Sequence, residues 1–109
     1  MSEYGYLLCL DDREFIWLGK AIKNDDDKIV YFKVRSGDPN WQQPGLARSV
    51  WKFLADHVGH RLEVVREFSE QYDKMVSDDP PEGPYVEIGD SSNTGPTFEE
   101  YLTGWPDSA

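Results

Sequence analysis

The sequence predicts an α+β fold, a mainly antiparallel sheet of about four strands with one principal helix packed on one face, followed by an acidic, Pro/Gly-rich C-terminal arm. Three observations predict it. Short apolar runs with strand character follow one another before residue 36. One strong amphipathic helix pattern then occupies residues 46–58. Charge, finally, is divided along the chain: residues 1–68 carry 11 acidic and 10 basic side chains, net −1, whereas residues 69–109 carry 10 acidic side chains and a single base, Lys74, net −9. The division sets a folded body at 1–68 and an acidic arm at 69–109 that either extends from the body or packs on it.

Residues 4–10 form a short apolar run with aromatic residues, closed by Asp11-Asp12, and predict a first strand. Residues 14–22 carry two patterns. Phe15, Leu18 and Ile22 keep helical spacing, but the block Phe15-Ile16-Trp17-Leu18 closed by Gly19 favours a second buried strand. Asn24 to Asp27 make a turn, since short carboxylates and amides hydrogen-bond their own backbone there. Strict alternation over 28–35 predicts the clearest strand, with Val30, Phe32 and Val34 on a wholly apolar face. Residues 36–45, with Pro39 and Pro44, read as a loop holding Trp41.

The helix at 46–58 presents Leu46, Val50, Phe53, Leu54 and His57 on one stripe, and Gly59 supplies the left-handed residue that ends it. Trp17 and Trp51 are expected in the core. Residues 61–68 alternate again and return as a strand. Beyond Phe68, residues 70–76 allow two helical turns, 85–88 an added strand, and 98–102 a short helix capped by Thr97. Five of the seven prolines lie beyond Ser77 and break up the remainder.

A chain of 109 residues with 39% hydrophobic content suffices for one modest core. Its 14% aromatic content, with four tryptophans, excludes a wholly disordered protein. No apolar run approaches the roughly 18 residues that span a bilayer, and the start Met-Ser-Glu-Tyr lacks the basic region of a signal peptide, so a cytoplasmic location is expected. The lone Cys9 rules out an intramolecular disulfide. A net charge of −10 opposes binding to nucleic acid or anionic membrane and favours a basic protein partner.

Metal-ligand chemistry is suggested at one place only. His57-Val58-Gly59-His60 at the helix end, taken with Cys9-Leu10-Asp11-Asp12 after the first strand, offers Cys9, Asp12, His57 and His60 as a tetrahedral zinc set. The competing reading makes Cys9 a small buried hydrophobe and His57 a partner of the helix dipole. Asp11, Asp12, Glu14 and the run Asp25–Asp27 read as solvated turns, because nothing in their spacing implies a perturbed carboxylate or a calcium loop. No phosphate loop and no activated nucleophile occurs. In the arm, Asp78, Asp79, Glu82, Glu87, Asp90, Glu99 and Glu100, interleaved with Tyr85, Tyr101 and Trp105, match a surface that attracts a basic partner and holds it by apolar anchors. The same aromatics serve equally to pack the arm on its own body.

The segments Cys9-Leu10-Asp11-Asp12-Arg13-Glu14-Phe15, Trp17-Leu18-Gly19-Lys20 and Trp51-Lys52-Phe53-Leu54-Ala55-Asp56-His57-Val58-Gly59-His60-Arg61-Leu62 resemble the core of small uncharacterised bacterial proteins over about the first 65 residues. Some of those proteins have a second cysteine three positions after the first, where this chain has Asp12. In size, acidity and single-domain character the chain is also similar to immunity proteins that neutralise bacterial toxins. With no complete catalytic signature, the expectation is a non-enzymatic acidic binding protein, an immunity or antitoxin-type inhibitor of a basic toxin. The alternative is a small zinc-stabilised protein using Cys9, Asp12, His57 and His60.

Overall fold

The computed structural model describes residues 3–34, 37–76, 85–89 and 95–105. Strands β1 (Tyr4–Cys9), β2 (Glu14–Lys23) and β3 (Ile29–Lys33) lead through a 3₁₀ turn (Asn40–Gln42) into helix α1 (Pro44–Asp56). Strand β4 (Leu62–Arg66), helix α2 (Glu70–Val76), strand β5 (Val86–Ile88) and helix α3 (Phe98–Leu102) follow. The sheet runs β3-β2-β1-β4, all antiparallel, and β5 adds to β2 in parallel. The predicted α+β class and principal helix are thus present. Among the described residues no helix is long and apolar enough to cross a membrane.

Strand β1 explains the architecture. It lies between β2 and β4, and every residue from Gly5 to Cys9 is buried, so its run of apolar side chains serves two cores. On one face Leu7, Cys9, Ile16 and Leu18 pack with Leu46 and Phe53 of α1, and with Ile88 and Phe98. On the other, Tyr6, Leu8, Phe15 and Val65 pack with Met75 of α2 and with Tyr85. The principal helix α1 thus covers one face, as expected, and the short α2 helps to cover the other, because a two-faced apolar strand has to be sheltered twice. Segments of the acidic arm do much of this sheltering through Met75, Tyr85, Ile88 and Phe98.

Several local expectations are corrected. Helix α1 begins at Pro44, two residues early, since proline at the first helical position lacks the amide that would go unpaired and Gln43 caps by accepting from the amides of Gly45 and Leu46. Its buried stripe is Leu46, Ser49 and Phe53, with His57 at the C-cap, which leaves Val50 and Leu54 half-buried. Trp51 points away from that stripe and is 68% exposed, contrary to the core position expected for it. Trp17 is half-buried between the cores. Strand β3 is shorter than residues 28–35, and its apolar face is only partly covered: Val34 is buried, but Val30 is 61% exposed because β3 lies at the margin of the sheet. Phe32 instead lays its ring over Gly5, so closely that a Cβ there would overlap it.

Candidate metal centre

One end of the sheet gathers the polar groups that the sequence singles out. The β1–β2 turn is tight, closed by the Arg13 amide donating to the Cys9 carbonyl at 2.9 Å with Arg13 at φ 55°. At the far end of α1, Gly59 adopts φ 85° and turns the chain back, with the His60 amide donating to the His57 carbonyl. The two turns are locked together. Arg61 donates from its backbone amide and from Nε to Asp11, each at 2.9 Å, and these bonds, the amide first, hold the Asp11 carboxyl below the usual range. The Leu10 amide donates to the Arg61 carbonyl.

Inside this clamp lie Cys9, Asp12 and His57, whose ligating atoms all fall within 4.8 Å of one another. Cys9 is fully buried, and burial pushes its thiol up. His57 is 3% exposed and stacks on Phe53 at 4.2 Å between ring centres. Its Nδ1 lies 3.0 Å from the Phe53 carbonyl, which only accepts, so Nδ1 carries a hydrogen. The other nitrogen, Nε2, faces Glu14 Oε1 at 2.9 Å and Asp12 Oδ2 at 3.4 Å. Both ring nitrogens thus meet acceptors. Nε2 is the ring atom turned towards the acidic side chains and the one placed to ligate a cation.

His60 closes the side towards solvent. Its Nδ1 lies 3.0 Å from Asp12 Oδ2 and 3.8 Å from Cys9 Sγ. With metal–nitrogen and metal–oxygen bonds of about 2.0–2.2 Å and a metal–sulfur bond of about 2.3 Å, the corners of a tetrahedral zinc site are separated by roughly 3.3–3.7 Å. Separations of 3.0, 3.4 and 3.8 Å bracket that range. A ligating histidine also characteristically donates its other N–H to a carbonyl or carboxylate, as His57 does to Phe53.

Three of the four sequence-predicted ligands, Cys9, Asp12 and His57, therefore meet, while His60 touches Asp12 and Cys9 from the rim and stands outside that group. Glu14 also reaches the cluster, although its sequence position reads as a solvated turn. Strand alternation held the signal, because Glu14 shares the face of Ile16 and Leu18, the face that α1 covers.

The described arm residues expected at a partner surface take different places in the fold. Tyr85 is buried in the second core and does not stand out as an anchor. Glu87 is half-buried in β5, and burial raises its carboxyl. Glu99 is exposed; Glu100 is exposed too but accepts from the Thr97 amide, completing the capping box that Thr97 begins. The Tyr101 hydroxyl donates to Asp56 Oδ2 at 2.8 Å, and burial foremost pushes that phenol up. Trp105 is half-buried, with the Arg48 guanidinium 5.7 Å from its ring centre. Asp78, Asp79, Glu82 and Asp90 lie outside the described residues.

Comparison of the chain with protein-family models, with curated proteins and with solved structures gives no match.

Proposed function

We propose that this protein is a small metal-holding domain in which Cys9, Asp12, His57 and His60 bind one zinc-class divalent ion. The observation that carries the reading is the surroundings of His57: Nδ1–H is committed to the Phe53 carbonyl, and the buried Nε2 is turned towards a thiol and two carboxylates. A thiolate, an imidazole and a carboxylate form a donor set that suits zinc better than magnesium or calcium, which prefer oxygen alone. Such an ion staples the β1–β2 turn to the end of α1, and its role there is structural. Protein purified without a histidine tag is expected to carry one equivalent of zinc by elemental analysis. A strong chelator should lower Tm by about 10 °C, the shift expected for a domain of this size losing a ligand present at about a hundred times its Kd. A metal-free preparation whose Tm is indifferent to added zinc would sink the proposal.

A second reading, an acidic cytoplasmic inhibitor of a basic toxin, is favoured by a different observation. Trp41 and Trp51, 62% and 68% exposed, flank a groove of about 200 Å³ floored by Leu46, Ala47, Val50 and Leu54. Exposed tryptophans beside an apolar groove are the usual make-up of an interface hot spot, and a net charge of −10 steers basic partners towards it. Neutralisation of a basic toxin encoded beside this chain, abolished by Trp41→Ala with Trp51→Ala, is the expected result. Full protection by that double variant would remove this surface from consideration.

A further inference from the structure

Beyond the metal centre, the outer edge of β2 is shared by two strands that do not meet. Strand β5 pairs with Glu14–Ile16 and β3 with Lys20–Lys23, which leaves Trp17, Leu18 and Gly19 without a strand neighbour on that side among the described residues. A cavity of about 410 Å³ opens at this gap. That volume lies within the range of small-molecule sites. Tyr4, Tyr6 and Trp17 give it aromatic walls, and the Tyr4 and Trp17 rings meet edge to face at 6.0 Å. Lys20 and Lys33 line one end, where they are direct cross-strand partners, and Glu87 on β5 lines the other.

The lysine pair is the unusual feature. Like charges placed directly opposite one another weaken a sheet. In a chain with 21 acidic side chains, compensation is easy: Lys23, Lys52, Arg61 and Arg66 each have a carboxylate partner. Lys20 and Lys33 have none among the described residues. Two uncompensated ammonium groups beside exposed aromatic surface are the chemistry that receives a ring bearing an anionic group.

We propose that this cavity binds a planar aromatic anion, its ring against Tyr4 and Trp17 and its carboxylate or phosphate between Lys20 and Lys33. The site shares no residue with the metal centre and stands or falls independently of it.

The test titrates the full chain with 6-hydroxy-2-naphthoate, 2-naphthyl phosphate and uncharged 2-naphthol, following tryptophan quenching and calorimetry. At least one of the two anions should bind with a stoichiometry of one and more tightly than 2-naphthol, and which anion wins distinguishes a carboxylate ligand from a phosphate one. Lys20→Gln and Lys33→Gln should each weaken the preferred anion about tenfold, the loss expected for one charge-assisted hydrogen bond, whereas Lys28→Gln should leave it unchanged. Because these substitutions relieve like-charge repulsion, Tm should stay level or rise, which separates lost binding from lost folding. Equal binding of 2-naphthol, indifference to both lysine substitutions, or no saturable binding up to about 5 mM would overturn the proposal.

Discussion

Three single residues affect the fold more than their sizes suggest. Gly5 carries the Phe32 ring across the β1–β2 step, so Gly5→Ala should cost about 1–3 kcal/mol of stability, read from denaturant unfolding, because the added methyl pushes the ring off its seat. Ser49 makes the opposite prediction. Its hydroxyl is fully buried with no hydrogen-bond partner among the described residues, so Ser49→Ala should raise stability by about 1 kcal/mol, the cost of an unsatisfied buried hydroxyl being removed. Glu3 ties Arg66 and Lys23 to the start of the chain, and the hydrogen bond from Arg66, more than any other influence, holds its carboxyl below the usual value. A carboxyl whose folded pKa is depressed stabilises above its unfolded pKa, and the contribution disappears as pH falls through the folded value. The stability lost between about pH 5 and pH 3 should therefore be smaller in Glu3→Gln than in the parent, as measured by urea midpoints across that range.

At the level of elements, the short helix α3 carries its own start signal. Thr97 and Glu100 exchange side-chain and backbone hydrogen bonds, so Thr97→Ala should cost about 1 kcal/mol and loosen the packing of Phe98 beneath α1. Its cap, like the strand at Val86–Ile88 and the turns at Glu70–Val76, is legible in the sequence because each rests on local chemistry. Less legible are the features decided by what packs above. Trp51 reads as core from its type, yet the stripe that α1 buries includes the small Ser49, and the tryptophan is turned out. Val30 reads as buried from alternation, yet no described element covers it. Helix α2, whose Met75 and Tyr72 close the second core, has a weak pattern of its own and owes its place to the two-faced strand β1.

Over the whole molecule, charge and shape separate two kinds of surface. The arm that holds nine of the net negative charges also supplies Met75, Tyr85, Ile88 and Phe98 to the cores, so its aromatic residues act first as structural anchors. The two exposed tryptophans, Trp41 and Trp51, lie beside the groove along α1, and Phe68 is exposed after β4. The proposed metal-ligand residues are legible because zinc chemistry restricts residue types, and bringing them together depends on long-range folding that joins positions 48 residues apart, as Asp12 and His60 are. Cobalt(II) titration of the metal-free protein tests the central claim most directly. The account predicts saturation at one equivalent, with a sulfur-to-cobalt charge-transfer band and tetrahedral visible absorption, both lost in Cys9→Ala and His57→Ala variants that still fold. A titration without the sulfur band, or one that Cys9→Ala leaves intact, would contradict it.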